Sequence, residues 1–315
     1  MKNLVVGVDL GGTKIYTALA KNNGRILSET IIPTQATKGK EHVLNLIKES
    51  ILQTAKEKLK QVKKIGIAAP GPIILADGTV SHAPNLPGWE NVPLKKIIEK
   101  EFQIPVILEN DGNAAALAEG CFGAAKNKKN YIYITVSTGI GGGIVIDGKI
   151  LHGKNGTAGE FGHMLLSPNG FKCACGNIGD LEAQASGTAL KKYALARLAE
   201  IKTSSLIWKL CGENPKNITA ELIAGAAKQK DKISNEIIDQ AILFLSMGII
   251  NLVNIFSPEM IIIGGGLSNM GERLIHPLSR IVKKCALSAN AKGLIIVKSK
   301  LGNQTGVLGA ISLCL

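Results

Sequence analysis

Leu4-Val5-Val6-Gly7-Val8-Asp9-Leu10-Gly11-Gly12-Thr13-Lys14 opens the chain with an apolar run, an acid and a pair of glycines. A short unbroken apolar run predicts a strand buried on both faces; Gly11-Gly12-Thr13 predicts a tight turn, and Lys14–Ala20 a strand returning beside the first. A second turn at Asn22-Asn23-Gly24 leads into a third strand, Arg25–Ile32. The same succession recurs further on: strand Tyr131–Val136, turn Ser137-Thr138-Gly139-Ile140-Gly141-Gly142-Gly143, strand Ile144–Ile146, turn Asp147-Gly148, strand Lys149–Leu151. Asp9-Leu10-Gly11 thus stands opposite Ser137-Thr138-Gly139. Duplication of this kind argues for an α/β protein built of two related lobes that face one another.

Between and after these ribbons the pattern alternates. Glu41–Lys60 has helical spacing, Ile65–Ala69 is a strand that stops at Pro70-Gly71-Pro72, and a loop runs through Trp89. Leu94–Phe102 is a helix and Val106–Glu109 a strand, after which Asn110-Asp111-Gly112-Asn113 opens an alanine-rich helix, Ala114–Phe122. The second half is richer in helix: Ser186–Glu200, Thr219–Lys228, Ile233–Phe256, Met270–Ala286 and Thr305–Leu315. Strands Met260–Ile263 and Leu294–Lys298 lie among them, the first followed by the turn Gly264-Gly265-Gly266. The expected division is residues 1–111 plus 302–315 as one lobe and 112–301 as a larger one, hinged near Asn110–Gly112 and Leu301–Gly302.

A chain of 315 residues with 45% apolar content and 36 glycines fits such an architecture. The net charge of +13 raises the question of nucleic acid, but the excess is lysine; the only arginines are Arg25, Arg197, Arg273 and Arg280. Base and phosphate readers favour arginine's planar fork, so scattered lysine points to a solvated surface and no nucleic-acid partner. The run Leu4–Val8 is too short for a signal peptide. Ala241–Phe256 is apolar but short of a membrane span and contains Asn251 and Asn254, so it reads as a buried helix. Cysteines dispersed at 121, 173, 175, 211, 285 and 314 indicate a reducing, cytoplasmic setting. Cys121, Cys211, Cys285 and Cys314 read as small buried hydrophobes.

Three glycine turns that follow strands suit phosphate or nucleotide, because bare backbone N–H groups can converge on phosphate oxygens. The chain has neither the Walker sequence nor a Gly-x-Gly-x-x-Gly dinucleotide turn between strand and helix. In Gly159-Glu160-Phe161-Gly162-His163 and Cys173-Ala174-Cys175-Gly176-Asn177-Ile178-Gly179-Asp180-Leu181-Glu182, one imidazole, two thiols and several acids fall close together. His163, Cys173, Cys175 and Asp180 offer one nitrogen, two sulfurs and one oxygen, a donor set suited to structural zinc. Asp180 has a second reading, as a cap on the turn after Gly179. His42, His82, His152 and His276 show no partner in sequence.

These two motifs resemble the ROK family (repressors, open reading frames and sugar kinases), whose pattern runs Glu-x-Gly-His, then Cys-x-Cys-Gly-x-x-Gly-Cys-x-Glu. The chain departs from it at Asp180, where the last cysteine is expected. The resemblance implies the two-lobed actin-like ATPase (ribonuclease H-like) fold with a central cleft, and an ATP-dependent kinase of glucose acting on its 6-hydroxyl. It makes Asp9, Gly11, Gly12, Thr13 and Lys14 the first phosphate loop, with Asp9 on Mg²⁺. Thr138 and Gly139 belong to the second, and Gly265 and Gly266 to the turn facing the adenosine. Asp111 becomes the general base, against the alternative of a plain helix cap. Asn85, Asn110, Asp111, Glu160, His163 and Glu182 match sugar-binding positions, while Trp89 is either a sugar-loop residue or packing. Related kinases act on N-acetylmannosamine, N-acetylglucosamine or fructose, and polyphosphate is an alternative donor. Sugar-responsive repressors of the family carry a helix-turn-helix ahead of the first strand, for which a strand starting at Leu4 leaves no room. A homo-oligomer, dimer or tetramer, is expected.

Overall fold

The computed structural model describes residues 4–201 and 205–315. It contains two compact units, one of Met1–Lys129, Gly142–Gly159 and Lys300–Leu315, the other of Asn130–Gly141 and Glu160–Ser299. In the first, β1 (Leu4–Leu10), β2 (Lys14–Lys21) and β3 (Ile26–Pro33) form an antiparallel meander. Helix α1 (Lys40–Ala55) leads to β4 (Val62–Ala69), parallel to β1. A small antiparallel sheet follows, of β5 (Ile73–Ile74), β6 (Thr79–His82) and β7 (Glu90–Val92). Helix α2 (Leu94–Phe102) then returns the chain to β8 (Val106–Asn110), parallel to β4 and continuous with α3 (Asp111–Cys121).

The second ribbon is β9 (Tyr131–Val136), β10 (Ile140–Ile146) and β11 (Lys149–Ile150). Helices α4 (Leu181–Ala185), α5 (Gly187–Ile201), α6 (Leu206–Leu210), α7 (Ala220–Lys228) and α8 (Lys232–Phe256) come next. Strand β12 (Met260–Gly264), helices α9 (Glu272–Cys285) and α10 (Ser288–Ala291), strand β13 (Ile295–Lys298) and helix α11 (Thr305–Ser312) complete the chain. The main sheets have the orders β3-β2-β1-β4-β8 and β11-β10-β9-β12-β13. In each, a three-strand ribbon is followed by two strands in parallel register. The duplication expected from the sequence is therefore present in the topology.

Strand periodicity explains how β1 places its acid. Leu4, Val6, Val8 and Leu10 enter one core with α1, α2 and Trp89. Val5 faces the opposite side, where Val307, Leu308 and Ile311 of α11 pack with Ala118 of α3. Gly7 and Asp9 share that side. A Cβ on Gly7 would lie 2.7 Å from the Ile311 side chain, one on Gly66 of β4 would overlap the Ala310 carbonyl, and one on Gly309 would lie 2.6 Å from the Ala114 backbone. The missing side chains let α11 lie directly on β1, β4 and α3.

Several sequence expectations need correction. The expected division after Asp111 does not follow the compact units, because α3 packs on α11 and the first unit runs on to Lys129 and includes Gly142–Gly159. Gly141-Gly142-Gly143 lies in strand β10 and not in a turn. Its glycines serve close packing: a Cβ on Gly143 would lie 2.9 Å from both Ala116 Cβ and Asn113 Cα, and one on Gly112 would lie 2.5 Å from the Gly142 carbonyl. Helix α1 ends at Ala55, since Lys56 turns to φ 46° before a 3₁₀ segment. The stretch through Trp89, expected as a loop, holds the β5–β7 sheet. Cys121 and Cys285 are exposed, while Cys211 and Cys314 are buried as expected. Helix α8 is longer than the apolar run alone, long and apolar enough by composition to cross a membrane; it packs against α4, α5, α7 and α9.

Gly66→Ala is expected to destabilise the protein by about 1–3 kcal/mol, because backbone meets the new methyl and cannot swing away. Gly225→Ala, in α7 with open space around the added carbon, should leave stability unchanged or raise it by up to about 1 kcal/mol. Urea unfolding of both variants measures the contrast.

Candidate active site and metal centre

In the first unit the residues expected to bind phosphate and metal gather around the end of β1. The Gly11 N–H donates to the Lys14 carbonyl at 3.0 Å, and Thr34 Oγ1 donates to the Gly11 carbonyl at 2.6 Å, closing the turn. A Cβ on Gly12 would lie 2.8 Å from Asn85 Cβ, so the Asn85 loop backs directly onto the turn. Trp89, only 1% exposed, anchors that loop in the core and is packing. Lys14 is exposed and holds its Nζ 5.7 Å from the centre of the Tyr16 ring.

Asp9 points toward the start of α11, where a Cβ on Gly306 would overlap its carboxyl group. Burial there, followed by the charge of Asp111, lifts its pKa from 3.8 to about 6, with Lys14 pulling weakly the other way. Two carboxylates whose charges act on one another make a fitting seat for a divalent cation.

Asp111 is the first residue of α3 but not its cap. Asn110 takes that role, its Oδ1 accepting from the N–H groups of Gly112 at 2.9 Å and Asn113 at 3.2 Å, while its Nδ2 donates to the Gly71 carbonyl. Asp111 Oδ1 accepts from the Gly112 N–H at 2.8 Å. With the capping done by its neighbour, the exposed Asp111 carboxylate is held at a helix N-terminus, a favourable place for an anion.

A second carboxylate was not singled out in the sequence. Glu109, 6% exposed, accepts from the Asn110 N–H at 2.9 Å, from Asn113 Nδ2 at 3.0 Å and from His152 Nε2 at 2.7 Å. His152 therefore has a partner, contrary to its reading as an isolated loop histidine. The partner is 43 residues away, and nothing local in the sequence signals the pair.

In the second unit the turn Ser137-Thr138-Gly139 is fastened by the start of α5. The Gly187 N–H donates to the Ser137 carbonyl at 2.7 Å, and Thr188 Oγ1 to the Thr138 carbonyl at 2.8 Å. Glu182 Oε2 accepts from the Ile140 N–H at 2.8 Å, and a Cβ on Gly139 would overlap the Glu182 carboxylate. Gly139 thus makes room for an acid. Gly265 has φ +79°, and a Cβ there would overlap the Val136 carbonyl. Beside this turn lies a cavity of about 190 Å³ lined by Gly266, Leu267, Asn269, Glu221 and Lys228. Glu221, Lys228 and Asn269 carried no signal in the sequence.

His163, Cys173, Cys175 and Asp180 converge, with one donor atom from each lying within 4.8 Å of the others. His163 Nδ1 is 3.0 Å from Asp180 Oδ2 and 3.8 Å from Cys173 Sγ, and Cys175 Sγ is 3.4 Å from the same Asp180 oxygen. Four ligands on a tetrahedral ion with bonds of 2.0–2.3 Å stand about 3.3–3.8 Å apart. The donor types and the close approach of all four suit one four-coordinate metal ion. Asp180 Oδ1 accepts from the Ala183 N–H at 2.8 Å and caps α4, while Oδ2 faces the other three donors. Burial works against its charge, but bonds from Cys173, His163 and the Ala183 N–H hold its pKa below the usual carboxylate value. Burial lowers the His163 pKa, and the Asp180 hydrogen bond and nearby Glu182 and Glu160 charges more than reverse this, leaving it raised. Burial, then Asp180, pushes the Cys173 thiol up to about 12. Cys173 is thus a thiol until a cation draws off its proton. Glu160 is exposed at the head of the turn that carries His163, its carbonyl accepting from the His163 N–H at 3.1 Å.

Residues 5–315 match the ROK family. Glucokinase of Thermotoga maritima is 38% identical over 98% of this chain and 96% of its own length. A xylose repressor of Caldicellulosiruptor bescii is 36% identical over 98% of this chain and 77% of its own. Among solved structures, a ROK family glucokinase from Streptomyces griseus, in complex with glucose and AMPPNP, superposes with a TM-score of 0.83 at 33% identity, covering 99% of each chain. The chain belongs to the ROK family, and its fold is the actin-like ATPase fold of those kinases.

Asp9 yields a prediction whose sign is fixed by its raised pKa. A carboxyl harder to ionise when folded contributes stability below its unfolded value of 3.8, and that contribution is lost as pH rises through about 6. Without ligands, Asp9→Asn should stabilise the fold by up to about 3 kcal/mol near pH 7.5, a gain that vanishes toward pH 4. Denaturant unfolding at several pH values measures it.

Proposed function

We propose that the protein is an ATP-dependent sugar kinase that transfers the γ-phosphoryl group of ATP to the 6-hydroxyl of glucose. The observation that carries the reading is the placing of Asp9 near the end of β1 and Asp111 where β8 passes into α3, with burial and then the Asp111 charge lifting the Asp9 pKa. One carboxylate serves a metal and one a proton. Asp111 accepts the proton of the attacking hydroxyl, its oxygen forms the new bond to the γ-phosphorus, and ADP leaves with the electrons of the broken phosphoanhydride bond. Asp9 would hold Mg²⁺, which neutralises charge on the phosphates. The turns at Gly11-Gly12-Thr13-Lys14 and Thr138-Gly139 serve the phosphates, and the cavity beside Gly265-Gly266 serves the nucleoside.

Asn85, Asn110, Glu160, His163 and Glu182 are assigned to the sugar hydroxyls, where buried donors and acceptors left unpaired reject a wrong epimer. The metal assigned to His163, Cys173, Cys175 and Asp180 is zinc; its role is structural. With His163 Nδ1 turned to the cluster, Nε2 remains for a hydroxyl. The assignment of glucose over N-acetylmannosamine, N-acetylglucosamine or fructose draws on the likeness to glucokinases across the whole chain. ATP is assigned over polyphosphate by the cavity beside Gly266. A cytoplasmic homo-oligomer completes the reading.

Asp111→Asn is expected to bind glucose as the parent does and to lose about 10²–10⁴ in kcat. Coupled-assay rates with Mg-ATP over a panel of these sugars test activity and preference together. Turnover of glucose above the others by the parent, and its collapse in the variant, support the reading. Sugar binding by the parent without turnover of any sugar would point instead to a regulator like the xylose repressor.

A further inference from the structure

Glu109 is a buried carboxylate with three donors, all bearing on the segment that carries Asp111. Its Oε1 accepts from the Asn110 N–H and from Asn113 Nδ2, so the residues on either side of Asp111-Gly112 are tied to one group. Its Oε2 faces His152 Nε2 at 2.7 Å. A carboxylate only accepts, so Nε2 carries the proton of this bond. His152 lies just beyond β11 at the start of the segment ending at Gly159, next in sequence to Glu160. That segment is itself fastened: the Ala158 N–H donates to the His152 carbonyl at 3.0 Å, and a Cβ on Gly156 would lie 2.7 Å from the Ile73 carbonyl. The pair joins two stretches far apart in sequence, one carrying the general base and the other leading to a sugar-binding acid.

We infer that His152 and Glu109 form a positioning pair that sets the Asn110-Asp111 segment for phosphoryl transfer, His152 acting by holding the Glu109 carboxylate in the rotamer that pins Asn110 and Asn113. The inference rests on the kinase reading above for its rate measurements, though its structural arm does not. A histidine serving only to fill space would be replaceable by an apolar ring; a positioning donor is replaceable by another donor at the same reach. Glutamine places an N–H where the Nε2–H of histidine stands, while phenylalanine keeps the ring and loses the donor.

The test compares His152→Phe and His152→Gln with the parent enzyme. His152→Phe should lower kcat with glucose by about 10–100-fold, with the KM for Mg-ATP changed less than about twofold. His152→Gln should recover to within about threefold of the parent. Amide hydrogen exchange, which requires no turnover, should be at least about tenfold faster in His152→Phe at Gly112 and Asn113, whose N–H groups depend on the Asn110 cap. Equal impairment of the two variants, a parent-like kcat in His152→Phe, or unchanged exchange at Gly112 and Asn113 would each overturn the inference. Should His152→Phe fail to fold, His152→Leu takes its place: loss of rate with faster exchange at Gly112 and Asn113, beside a parent-like His152→Gln, supports the inference, and parent-like rate and exchange overturn it. A parent protein that phosphorylates no sugar overturns the kinase reading alone and leaves the exchange comparison to judge the pair.

Discussion

Asp180 is one side chain that two structures share. One oxygen caps α4 by accepting from the Ala183 N–H, and the other faces His163 Nδ1 and Cys175 Sγ. Fully buried, it fixes the direction of α4, and through it Glu182, whose carboxylate receives the Ile140 N–H beside Gly139. A cysteine here would supply a softer ligand but a poor helix cap. The departure from the family pattern thus trades a thiolate for a carboxylate that can perform both tasks. Burial and Asp180 together shift the ionisation of the cluster, and a carboxylate held charged among protonatable neighbours favours cations.

The first unit rests on an opposite device, the lack of side chains. Gly7, Gly66 and Gly309 allow α11 to lie against β1, β4 and α3, and Gly306 brings the helix start against Asp9. Asp9 is half-buried, and hard to ionise, because that helix sits so close. The carboxylate is therefore suited to a metal at the expense of the unliganded fold, a trade expected where function sets the residue.

Much of this was legible in the sequence. Short unbroken apolar runs marked β1, β9 and β8, and the doubled ribbon announced the duplicated topology. His163, Cys173, Cys175 and Asp180 fall within one short stretch, so spacing marked the four donors that the fold brings together. What escaped was long-range or conformational. Glycines look alike in sequence whether they turn the chain, as Gly265 does, or admit a neighbour, as Gly143 and Gly139 do. The expected lobe boundary at Asp111 missed the fact that α3 is bound to α11, a contact between residues almost two hundred positions apart. The Glu109–His152 bond is hidden for the same reason, and Glu221 and Lys228 enter their cavity only through the packing of α7 beside Gly266.

The measurement that bears most directly on a metal-organised sugar site is calorimetric titration of glucose into protein whose metal content is known, before and after chelation. Protein purified without chelator should carry about one zinc per chain, and its removal should weaken glucose binding by about 10–100-fold. Readdition of zinc should restore the affinity, while the affinity for Mg-ATP stays within about twofold throughout. Metal-free protein that binds glucose as tightly as the loaded form would contradict the assignment of the His163, Cys173, Cys175 and Asp180 cluster as the element that holds the sugar-binding residues in place.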